Sequence, residues 1–131
     1  MRTEMMDPML QATPTFEPVW NAFLAEWNDG REPLPIYLVF SDLARHITKL
    51  IENSSKAELV KVFRVVEMWC DDGDDEVQES VTVGLLEDLH NTNVVGMGKP
   101  EKIEQYLGPQ SKRGWQKVQS FWAKGELISD N

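Results

Sequence analysis

Apolar residues recur along most of this chain at spacings of three and four, the signature of helices that bury one face. Phe16, Val19, Trp20, Phe23, Leu24 and Trp27 form the first such stripe. Thr15 is placed to cap it, Pro18 falls in the first turn where a missing N–H is tolerated, and Asn28-Asp29-Gly30 stops it. Pro33 and Pro35 precede a second stripe, about residues 35–52, of Ile36, Val39, Phe40, Leu43, Ile47, Leu50 and Ile51. Ser55 and Glu58 stand at capping-box spacing and predict a third helix through Leu59, Val62, Phe63, Val66, Trp69 and Cys70. Gly73 breaks it. Asp74 is placed to cap a fourth, which carries Val77, Val81, Leu85, Leu86 and Leu89 to about His90 and pairs with the third as an antiparallel hairpin. A short fifth helix fits Pro100 to Leu107, closed by Gly108-Pro109. The last, about 111–124, places Trp115, Val118, Phe121 and Trp122 on one side and ends at Gly125.

No segment alternates long enough to predict a strand, and no repeat is visible. The expected fold is therefore all-α: a single-domain irregular bundle of about five to six helices in antiparallel pairs, or alternatively a short superhelical stack. The 131 residues divide into an irregular N-terminal arm (1–14), a helical domain (15–125) and a C-terminal tail (126–131). Met5, Met6, Met9 and Leu10 suit the arm to packing on its own body or on a partner, and Val94, Val95 and Met97 are expected to tuck a Gly-containing loop onto the core. The longest apolar run, Ile36 to Phe40, has five residues, against about 20 needed to cross a bilayer. The N-terminus has no apolar signal segment, so the expected location is the cytoplasm.

Charge changes the picture more than composition does. The chain has 22 acidic and 13 basic residues, a formal net charge of −9. No Lys or Arg lies between Arg64 and Lys99, an interval that holds Glu67, Asp71, Asp72, Asp74, Asp75, Glu76, Glu79, Glu87 and Asp88. Acids in the first turn of the fourth helix complement its dipole, but Asp71 and Asp72 end the third helix, where the dipole disfavours them. The basic last helix (Lys112, Arg113, Lys117), a cation or a basic partner can offset them. An acidic chain argues against nucleic-acid binding.

Catalytic and metal signatures are sparse. Asp71 and Asp72 both fail as the first position of a calcium-binding loop, because neither register has glycine at position 6 or glutamate at position 12. Glu87 and His90 stand at ExxH spacing, but Leu43 occupies the matching position before His46, so no metal or other cofactor is expected. Asp42 and His46 can pair on one helix face, and carboxylate pairs such as Glu67 and Asp71 at i, i+4 can serve acid/base roles in a cleft. Cys70, the single cysteine, sits on a buried stripe beside aspartates that raise its pKa, which suits an inert thiol.

Leu34-Pro35-Ile36-Tyr37, the Val62–Trp69 helix, the segment from Val81 to Asn91 and Tyr106-Leu107-Gly108-Pro109 together resemble a small bacterial all-helical family of unknown function, over about residues 16–122. In size and acidity the chain also resembles the immunity proteins of contact-dependent and Rhs-type toxin systems. That resemblance implies a cytoplasmic, non-enzymatic inhibitor, monomeric or weakly dimeric, that binds one protein, a basic toxin domain, with no membrane or nucleic-acid role. The expected contact residues are Asp71, Asp72, Asp74, Asp75, Glu76, Glu79, Glu87 and Asp88. The alternatives are a scaffold that binds through apolar contacts of Trp27 or the Met-rich arm, and a small enzyme using the region of Glu67, Glu87 and His90.

Overall fold

The computed structural model describes residues 3–27, 35–72, 75–91 and 101–124; of residues 3, 72 and 121–124 only the backbone is described. The helix stop at Asn28-Asp29-Gly30, the break at Gly73 and cap at Asp74, the loop residues Val94, Val95 and Met97, Gly125 and the tail lie outside this set, as do the side chains of Phe121 and Trp122. All regular structure among the described residues is helical, and the chain forms a single all-α domain, an irregular bundle.

The N-terminal segment is the first departure from expectation. Within the segment expected to be irregular, the described residues are helical: a 3₁₀ turn (Thr3–Met6) runs into α1 (Asp7–Ala12), with Pro8 in the first turn where it needs no N–H. Met6 and Met9 are fully buried, and the Trp69 indole N–H donates to the Met5 carbonyl at 3.2 Å. The methionines are thus part of the core, which removes the Met-rich arm as an exposed docking element.

A second 3₁₀ turn (Pro14–Phe16) leads into α2 (Glu17–Glu26). Its stripe is buried at Phe16, Trp20 and Phe23, whereas Val19 turns outward and Trp27 is half-buried. Helix α3 (Ile36–Glu52) matches its pattern, with all seven stripe residues buried. It ends in a Schellman turn: Ser54 takes φ 56°, its N–H donates to Ile51 and the Ser55 N–H to Leu50. That turn explains why the capping box does not close. The Ser55 amide is already engaged by Leu50, so Glu58 is released for other partners.

Helix α4 (Lys56–Asp72) buries Leu59, Val62, Phe63, Val66 and Trp69. The fourth predicted helix runs as α5 (Asp75–Ser80), a π-helical stretch (Val81–Leu86) and α6 (Glu87–His90). Within the π stretch the Glu87 N–H reaches back five residues to Thr82. α7 (Glu101–Glu104) and α8 (Pro109–Lys124) complete the described chain. Pro109 opens α8 instead of merely closing the helix before it. The pairing with α4 expected of a hairpin is made by α5 and, more weakly, by the π stretch, which packs chiefly on α3 and α8; α8 packs on α4 as well. Helices that share neighbours in this way make a bundle and not a stack.

Candidate functional site

Two stripes of side chains face each other where the fourth helix meets α8. Asp75, Gln78, Glu79, Thr82 and Val83 follow the 3–4 spacing of one helix face, and Gln110, Arg113, Gly114 and Lys117 follow it on the other. They enclose a groove of about 330 Å³, and Cys70 of α4 contributes to its wall. Gly114 lets the helices approach: a Cβ there would lie 2.9 Å from both Leu86 Cδ1 and Thr82 Oγ1. The acidic stripe thus faces the basic helix of its own chain, one of the three ways of offsetting the acidic segment. Among the described residues no ion pair closes across the groove.

The expected contact residues that are described fall on two separate elements, α4–α5 and α6. Asp71, Asp75, Glu76 and Glu79 are exposed at the corner of α4 and α5, and Asp75 and Glu79 also line the groove. The side chain of Asp72 and all of Asp74 lie outside the described residues. Glu87 and Asp88 belong to α6, where Asp88 accepts a 2.6 Å hydrogen bond from Ser41 of α3. Burial, and then the Asp88 charge, hold the Glu87 carboxyl above its usual value.

Other residues with chemical potential have structural partners. Glu67 accepts 2.8 Å hydrogen bonds from the N–H groups of Gln110 and Ser111 and from the Ser111 hydroxyl, so it caps α8 from a helix 43 residues away. Burial pushes its carboxyl up, but these donors outweigh it and the net direction is downward. Gly108 makes the arrangement possible, since a Cβ there would sit 2.6 Å from the Glu67 carboxylate. The Cys70 thiol is pushed up to about 12, first by burial and then by Glu67, so it stays protonated at neutral pH.

His46 does not pair with Asp42, which binds Arg45 instead. Its Nε2 lies 2.8 Å from the Thr13 hydroxyl and 3.0 Å from that of Thr15, and both hydroxyls donate to Glu58 Oε2. With both hydroxyl protons on the carboxylate, a ring protonated at Nε2 supplies the donor that the threonine oxygens accept. Thr15, expected as a helix cap, and Glu58, expected in a capping box, therefore join the N-terminal segment to α3 and α4. Burial lowers the His46 pKa, with Glu58 raising it and Lys49 lowering it further. His90 is buried with its ring 5.3 Å from Trp115, and burial lowers its pKa as well. Sequence spacing could not reveal the Glu67 cap or the threonine–histidine junction, because their partners are tens of residues apart.

Among the described residues, no group of three or more His, Cys, Asp or Glu side chains is arranged to hold a metal ion, and no helix is long and apolar enough to cross a membrane. No curated protein and no solved structure matches the chain. A family model does match, over residues 6–123, and the chain accordingly belongs to that family, which is described as a domain of unknown function (DUF7674).

Proposed function

We propose that this chain is a non-enzymatic, cytoplasmic protein-binding domain, an immunity-type inhibitor of one basic toxin domain, and that the α4–α5 corner makes the contact. The observation that carries this reading is the exposure of Asp71 at the end of α4 and of Asp75, Glu76 and Glu79 on α5, without an ion pair among the described residues. Glu67 and Asp88, by contrast, are engaged inside the fold. A concentrated negative field steers a cationic partner and occupies the surface that a nucleic-acid-acting toxin would present to phosphates.

The test is capture of a partner from the native host at low salt by the wild-type chain and by the variant Asp71→Lys/Asp75→Lys/Glu76→Lys/Glu79→Lys. The expected result is one basic protein, released by raised salt and bound at least tenfold more weakly by the variant. Equal capture by the variant overturns the site.

A second reading has its own observation: Tyr37 and Leu38, adjacent on α3, are 47% and 53% exposed. Capture that resists salt and is lost on Tyr37→Ser/Leu38→Ser favours an apolar scaffold in place of the acidic inhibitor.

A further inference from the structure

The groove between the fourth helix and α8 shares Asp75 and Glu79 with the acidic corner and sets the basic side chains of α8 opposite them. Its volume of about 330 Å³ falls within the range of small-ligand sites, roughly 300–1,000 Å³. One wall offers Asp75 and Glu79 one turn apart, and the other offers Arg113 and Lys117 one turn apart. Between them lie the Thr82 hydroxyl, which donates to the Gln78 carbonyl at 3.1 Å, and Gly114, whose missing side chain lets Thr82 and Leu86 pack closely against α8. Thr82 stands in the π-helical stretch, a departure from α geometry that recurs at functional sites. Rows of opposite charge that face one another without pairing are each left to water, and charge-assisted hydrogen bonds to both become available to a molecule with both signs.

The geometry points to this groove as a binding site for a small zwitterion of the amino-acid class, its ammonium group held by Asp75 and Glu79 and its carboxylate by Arg113 and Lys117. A ligand with one sign satisfies one wall and leaves the like-charged wall opposed to it, so both charges are needed for affinity. The backbone amides of Thr82 and Gly114 report on occupancy from the middle of the groove.

The experiment is an amide NMR titration at low salt with ω-amino acids from glycine to 6-aminohexanoate, with pentylamine and hexanoate as single-charge controls. One member of the series is expected to shift Thr82 and Gly114 saturably in the millimolar range, at least tenfold more tightly than either control. Glu79→Gln is expected to weaken the zwitterion and to strengthen hexanoate, and Arg113→Gln to weaken the zwitterion and to strengthen pentylamine, because each removes the charge that opposes the single-sign control. Absence of a saturable shift for every member, or equal affinity for a control, overturns the site. The partner reading is tested separately, because Asp71→Lys/Glu76→Lys alters the acidic corner outside the groove, while Arg113→Gln alters the groove outside the corner.

Discussion

The junction of Thr13, Thr15, His46 and Glu58 and the groove of Asp75, Glu79, Arg113 and Lys117 both gather polar side chains from distant segments, but they use them in opposite ways. At the junction every group is spent on another: two hydroxyls share one carboxylate oxygen and one imidazole nitrogen, and they fasten the N-terminal helix to the body. In the groove the charges confront one another across open space without a bond among the described residues. The junction costs ordering entropy and repays it in stability, whereas the groove keeps its interaction energy in reserve for something that binds.

Several substitutions can break or sharpen that contrast. The largest effect belongs to the segment the junction fastens. Met9→Ala removes a fully buried side chain and is expected to destabilise the fold by about 2–5 kcal/mol in urea denaturation. Next is the α8 cap, where Gly108→Ala drives a methyl into the Glu67 carboxylate; the expected loss is about 2–3 kcal/mol. Glu67→Ala should cost a comparable amount, and the double variant little more than either, since the clash disappears with the carboxylate; full additivity in calorimetry would refute the cap.

Thr13→Val is smaller, about 1–3 kcal/mol, because it strips the buried link between His46 and Glu58. The junction also predicts a pH dependence. His46 and His90 fold with pKa values below 6.5, so the unfolded chain takes up protons that the folded chain resists. Stability is therefore full above that value and falls as pH drops below it, and His46→Asn should make the decline between pH 7 and 5 shallower in urea midpoints. The smallest effect is expected in the groove. Glu79→Gln and Arg113→Gln should each change stability by less than about 0.5 kcal/mol, as unpaired exposed charges do; a larger loss in thermal melts would mean that the groove charges serve the fold after all.

Much of the helical frame was legible in the chain. Helix α3 begins after Pro35 and ends close to Glu52, as its stripe and prolines predict, and the stripe of α4 is buried from Leu59 to Trp69, with Cys70 half-buried. The N-terminal helix was not legible, since six residues that include one proline and stop short of another are too short to display a period, and Met9 becomes core only because α4 lies beneath it. The acidic segment was legible as charge, but not as a place: it divides between an exposed corner, a groove wall, a helix cap and a contact with α3. Glu67 illustrates the difference, because as one of nine acids in an interval without Lys or Arg it reads as part of a charged face, while its carboxylate in fact holds the start of α8.

What the sequence determined by itself is what a single turn of chain can encode: helical periodicity, proline boundaries, an all-α class and a segregated negative charge. Only the tertiary structure decided which groups meet across 31 to 64 residues, from the Thr15–His46 contact to the Trp69–Met5 contact, and where the π-helical stretch falls between α3 and α8. The reason is physical. Periodicity records which face of a helix avoids water, but not which neighbour covers it, and that choice depends on packing and hydrogen bonding among all the helices together.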